Sequence, residues 1–338
     1  MLARIPAPPL ALRRAVAIAA VITQAGIAVT GSVVRVTGSG LGCPTWPQCF
    51  PGSLTPVPHA EIAAVTQWIE FGNRLFTFLV GFVALGCLVL ALLVRSRRRR
   101  LVLLAATMPV GVLVQAVLGG ILVRTGLAWW SVALHFLISM VLVWLAVLLV
   151  AAFGEDDGPP RWLIPRPLRA LLVTATAVLA ALLVAGTMVT AAGPHAGDAD
   201  TPRLDVDIPT LVQLHANLLF GYLGLLIGLG FALRAVGVPA RTGRRYRLLV
   251  GVVLAQGSLG VVQYATGVPE VLVSLHVLGA ALVVVAMAGL WTGCRDRGTG
   301  IRPSGAGAEP SCAGSRPGAP VWNEPQPASD QTPERAAT

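Results

Sequence analysis

The chain has 338 residues, of which 55% are hydrophobic and 12% charged, with a mean hydropathy of +0.75. That balance excludes a soluble globular domain and points to a polytopic membrane protein. The formal charge of +10 does not signal nucleic acid, because the arginines gather in short runs between apolar stretches, as at Arg13-Arg14 and in RSRRRR at 95–100.

Eight stretches are long and apolar enough to cross a bilayer, which takes about 20 residues at about 1.5 Å of rise each. They lie near 13–34, 74–94, 101–123, 130–152, 168–191, 210–235, 247–266 and 270–292. The first reads as a span rather than a cleaved leader, since no small-residue cleavage site follows it. Basic residues at 13–14, 95–100, 161–169, 234–247 and after 292 all fall on one side, which the charge rule makes cytoplasmic together with both termini. The expected divisions are a cytoplasmic N-terminus (1–12), a four-helix half (13–152), a linker (153–167), a second four-helix half (168–293) and a disordered cytoplasmic tail (294–338). The tail is rich in Gly, Pro, Ser and Ala and cannot bury enough apolar surface to fold.

The two halves repeat one motif. QAVLGGILVRTG precedes His135 in the fourth span, and QGSLGVVQYATG precedes His276 in the eighth; Gln115, Gly119, Thr125 and His135 each have their counterpart 141 residues later. GIAVTGSVVRVTGSG (26–40) is similar to GTMVTAAGPHAGDAD (186–200), and His215 falls within one residue of the position matching Asn73. The expected fold class is therefore an all-α polytopic membrane protein, with eight transmembrane helices as two parallel-repeat four-helix bundles.

His135, His215 and His276 lie six or seven residues inside the outer ends of their spans, at one depth. A single intramembrane imidazole is often a hydrogen bond to a neighbouring helix, but three at one depth, two of them at duplicated positions, favour ligands. His215 and His276 suit the two axial positions of a haem iron; zinc would need a third ligand that the apolar region does not offer. In the first half His135 faces Asn73 instead of a second histidine, so a haem there would be weakly liganded or open on one face. Glu70 lies one turn before Asn73; spacing alone favours a helix-end acid answering the macrodipole. Arg35, Arg74 and Arg124 sit at outer span ends, as propionate partners or as snorkelling interfacial arginines. Cys43 and Cys49, in GLGCPTWPQCFPG, occupy an outer loop where a disulfide is permitted, either reducible or a structural staple. His59 and His195 read as solvated loop residues, and Cys87 as an inert buried thiol.

Taken together, TGSGLGCPTWPQC, EFGNR, His135, His215 and His276 make a constellation that resembles the haem A synthase family across about residues 12–293. The resemblance implies oxidation of the C8 methyl of haem O to the formyl group of haem A. It further implies haem b held by His215 and His276, and substrate haem received at His135. The family's glutamate carries over to Glu70, the candidate catalytic residue, and its outer cysteine pair to Cys43 and Cys49; Asn73 and Arg74 remain candidate cofactor-binding residues from their positions in the chain. Many members of the family carry a histidine where this chain has Asn73. The implied partners are a haem O synthase, cytochrome c oxidase assembly, membrane lipid and a second copy of the chain; the implied location is the bacterial plasma membrane. Two other readings are a bis-histidine cytochrome relaying electrons and a transporter of two four-helix repeats with histidines on a proton path.

Overall fold

The computed structural model describes residues 7–94 and 98–298. Its helices are α1 (Leu10–Val36), α2 (Ala64–Leu92), α3 (Arg99–Arg124), α4 (Trp129–Ala152), α5 (Arg166–Ala192), α6 (Ile208–Val236), α7 (Ala240–Ala265) and α8 (Glu270–Gly293). All eight are long and apolar enough to cross a membrane. Helices satisfy their own backbone groups, which is what hydrocarbon demands. Prolines mark several starts: Pro9, Pro165, Pro239 and Pro269 stand at N-caps, where no helical N–H is required. Asp207 caps α6 by accepting from the Thr210 amide at 3.0 Å.

Two helices begin well before the apolar stretches that announce them. α2 starts at Ala64, not near 74, because Gln67, Glu70 and Arg74 find polar partners in the preceding loop. α7 starts at Ala240, not near 247, and its basic first turns remain helical at the membrane boundary.

A short antiparallel pair joins β1 (Arg161–Trp162) to β2 (Arg295–Asp296). The segment expected as a tail from 294 thus begins with residues held against the linker; residues 299–338 lie outside those described.

The buried cores sit at one end of the helices. Ala17, Ala20, Leu101, Met108, Ala146 and Leu149 pack α1–α4 together. Leu172, Tyr222, Leu226, Leu249, Met287 and Leu290 do the same for α5–α8. A seam of Ala25, Met140, Val143, Ala281 and Val284 joins α1, α4 and α8. Both cores lie toward the starts of the odd-numbered helices. Toward the other end, residues 212–221 of α6, 254–265 of α7 and 270–280 of α8 include no buried residue.

α1–α4 pack as a closed ring, each helix against its neighbours, with α1 also against α4. α5–α8 form two tight hairpins, α5–α6 and α7–α8, that touch each other little. Near the core end Tyr246 bridges them, its hydroxyl donating to the Leu226 carbonyl at 2.8 Å.

Local geometry recurs at the repeated motifs. The turns after α3 and α7 both place a branched residue in the left-handed region, Leu127 at φ 60° and Val268 at φ 61°. Their amides donate back to Leu122 O (3.0 Å) and Gln263 O (2.8 Å). The amide nitrogen of Gln115 donates to the His135 carbonyl at 3.0 Å, and that of Gln256 to the His276 carbonyl at 2.9 Å.

Candidate functional site

The imidazoles of His215 and His276 face one another across the slot between the two C-terminal hairpins. Each ring rests on a glycine of its own hairpin. A Cβ at Gly186 would lie 3.1 Å from Cε1 of His215, and one at Gly260 would lie 3.0 Å from Cε1 of His276. α6 and α8 themselves make no close backbone approach among the described residues, so the rings span the gap. Their centroids are 6.5 Å apart.

That spacing fits one metal between the rings. About 2 Å from metal to each nitrogen and about 1 Å from nitrogen to ring centre separate the centres by about 6 Å. The Nδ1 atoms of His215 and His276 are buried with no hydrogen-bond partner among the described residues. An imidazole left unpaired in hydrocarbon is costly unless a ligand uses it. The donor set of two neutral imidazoles, with the slot beside it, suits a haem.

The first half differs. His135 also has a buried, unpartnered Nδ1, yet its glycine is farther away, with Gly119 placing a Cβ 3.8 Å from Cε1. Asn73 does not stand free opposite it: its Oδ1 accepts from the Thr30 hydroxyl at 2.7 Å. Thr30 lies in the GIAVT segment that recurs as GTMVT, and Gly186 opens the second copy, so the sequence carried a signal for both residues.

Glu70, Arg74, Cys43 and Cys49 form one unit at the end of the first half away from its basic helix ends. Cys43 and Cys49 are joined in a disulfide and fully buried. Glu70 accepts from the Cys43 amide through Oε2 (2.7 Å) and from Arg74 through Oε1. Arg74 donates further to the carbonyls of Thr45 (3.0 Å), Gln48 (3.2 Å) and Cys43 (2.8 Å). All five guanidinium N–H groups are thereby committed. Arg74, expected beside the substrate haem, ties the cysteine loop to α2. Glu70, with both oxygens occupied, holds the same loop.

The loop covers that end of the first half, with the Trp46 ring seated against Gly120 of α3. Arg35 donates to the Thr190 carbonyl at 2.6 Å, bridging α1 to α5. His195, read as loop surface, meets the Val268 carbonyl at 2.9 Å. His59 stacks on Phe50.

Eight membrane-length helices define a multi-pass membrane protein, with two imidazoles seated on glycines between its C-terminal hairpins and a loop closed by a disulfide. The family model described as cytochrome oxidase assembly protein matches residues 14–288. The chain belongs to this family. It is 26% identical over 289 residues to the heme A synthase of Halalkalibacterium halodurans, covering 83% of this chain and 95% of that protein. The heme A synthase of Geobacillus kaustophilus is 31% identical over 141 residues, 40% of this chain and 41% of the relative. That of Symbiobacterium thermophilum is 31% identical over 145 residues, 43% and 45% of the two chains.

Proposed function

We propose that the chain is a haem A synthase, converting the C8 methyl of haem O to the formyl group of haem A for cytochrome oxidase assembly. The observation that carries this reading is the pair of glycine-seated imidazoles 6.5 Å apart in the second half, beside a first half that offers one such imidazole. His215 and His276 would hold haem b, which supplies one-electron transfer when bound. His135 would orient the substrate haem from one side, while Asn73, held by Thr30, leaves the other side without a second imidazole.

Glu70 and Arg74 keep the disulfide loop over the substrate half and so exclude water from it. We assign Glu70 as a positioning residue of that loop, its effect on the reaction running through Cys43 and Trp46. The basic ends of the helices face the cytoplasm of a bacterial plasma membrane, and the disulfide loop faces outward. Haem O would be delivered by a haem O synthase and haem A passed to the assembling oxidase. The two halves represent parallel repeats, supported by the matched turns at Leu127 and Val268.

Expression in a bacterial host that makes haem O but not haem A, followed by haem extraction and mass analysis, tests the assignment. Appearance of haem A is expected. A pigmented protein that leaves haem O unchanged would instead fit an electron relay, and a colourless one a transporter.

A further inference from the structure

At the basic ends of the helices, away from the imidazoles, a second cluster of charge surrounds the segment after α4. Arg98 donates to Asp157 (3.3 Å) and to the carbonyls of Ala152 (2.8 Å) and Glu155. Arg100 reaches Glu155 at 3.4 Å, and its backbone amide donates to Asp157 at 2.8 Å. Arg297, just past β2, lies 4.0 Å from Glu155. Arg295 follows α8, and Arg13 stands in the first turns of α1, where its neighbour Arg14 packs over Gly154.

Arg98, Arg100 and Arg297 thus share Glu155 and Asp157, and several donors of the cluster lack an acceptor. The Nε of Arg13, the Nε and Nη2 of Arg295 and the Nε of Arg297 are buried with no hydrogen-bond partner among the described residues. Burial, reinforced by Arg100 and Arg297, pushes the Arg295 guanidinium below its usual range, although Glu155 opposes the shift. A buried guanidinium N–H without an acceptor is destabilising. Positive-inside bias explains arginines near a membrane surface, but it does not explain guanidinium nitrogens buried without an acceptor.

We propose that this cluster binds the phosphate of an anionic phospholipid, at the seam where α1, α3, α4 and α8 end. Guanidinium forks match phosphate oxygens in pairs, and a diester phosphate would supply acceptors to the unpartnered donors of Arg13, Arg295 and Arg297. The cluster lies at the ends of membrane-length helices, which is the level of lipid headgroups. Because α1, α3 and α4 belong to the first half and α8 to the second, such a lipid would tie the halves together opposite the haem sites.

The test uses the full-length protein in neutral detergent, with lipid retention read by native mass spectrometry. Phosphatidylglycerol, phosphatidylcholine and inorganic phosphate are offered at equal concentration. One phosphatidylglycerol is expected to remain bound, and phosphatidylcholine is not. Arg295→Gln and Arg297→Gln should each weaken retention about fivefold, the effect of one interfacial charge. Arg234→Gln, on the exposed last turn of α6 and outside the cluster, should leave it unchanged. Equal retention of both lipids, undiminished retention in the Arg295/Arg297 double variant, or an equal loss in Arg234→Gln would overturn the site. Displacement of phosphatidylglycerol by equimolar inorganic phosphate would overturn the lipid as its source.

Discussion

The first four helices close into a ring, whereas the last four remain as two hairpins that join near the core end and hold two imidazoles across the slot between them. In the ring, α2 offers Asn73, already bonded to Thr30, where α6 offers His215. A disulfide loop pinned by Glu70 and Arg74 covers the ring, while His215 and His276 each press on a glycine in the open pair. Under the proposed function, the second half would clamp a resident haem on both faces and the first would admit a haem that leaves after reaction. Two imidazoles and close seats favour retention; one imidazole and a looser seat favour exchange.

The largest effect should come from breaking the clamp. His276→Ala removes one of the two proposed ligands in the second half and should abolish nearly all haem b absorbance of the purified protein, with helix content unchanged by circular dichroism. Full retention of that spectrum would dissolve the distinction between resident and exchanging halves. His135→Ala should instead leave haem b in place and remove substrate haem, as measured by haem content after incubation with haem O.

Next in size is the loop. Arg74→Ala strips Glu70, whose side chain is 7% exposed, of its paired cation and frees the Cys43, Thr45 and Gln48 carbonyls. Breaking a buried pair costs about 3 kcal/mol or more, so the loop should open locally. Faster hydrogen exchange at 43–49 and lower haem A yield are expected, with haem b content unaffected. An equal loss of haem b would show that the two halves are not separable in this way.

Much of this contrast is legible in the chain itself, for identifiable reasons. Apolar length reveals eight spans, since the membrane imposes one length on all of them. The exact 141-residue spacing exposes His135 and His276 together. Polar helix turns are less visible: α2 begins about a turn and a half before Glu70 because its polar residues bind the loop that precedes it, so hydropathy alone starts the helix too late. The loop carbonyls that Arg74 reaches are not legible in the sequence, because spacing along a helix does not say which loop returns to it. The difference between a ring and two hairpins is a matter of packing between helices, which periodicity does not encode.

A third change tests whether Asn73 marks the difference in ligation. Asn73→His should convert bound haem O to a two-imidazole spectrum and slow turnover, because the new ring would occupy the face now left free. Thr30→Val should matter less: it removes the 2.7 Å bond to Asn73, at about 1 kcal/mol. An unaltered spectrum and rate in Asn73→His would mean that residue 73 does not face the substrate.

The smallest expected effect discriminates most finely, because it adds a single methyl group at equivalent positions. In Gly260→Ala the new Cβ would meet Cε1 of His276 at 3.0 Å, tighter than ordinary contact, so the ring must shift by a few tenths of an ångström. In Gly119→Ala the distance to His135 would be 3.8 Å, which is ordinary van der Waals contact. Gly260→Ala should therefore shift the haem b reduction potential and the position of its reduced absorption band, with haem content little changed. Gly119→Ala should alter neither substrate haem binding nor haem A yield. Both helices accept alanine without backbone strain and with a gain in helix propensity, so any difference between the two variants reports on the imidazole seats alone. If both proved silent, the glycine under His276 would be incidental, and ligand number alone would have to account for retention in one half and exchange in the other.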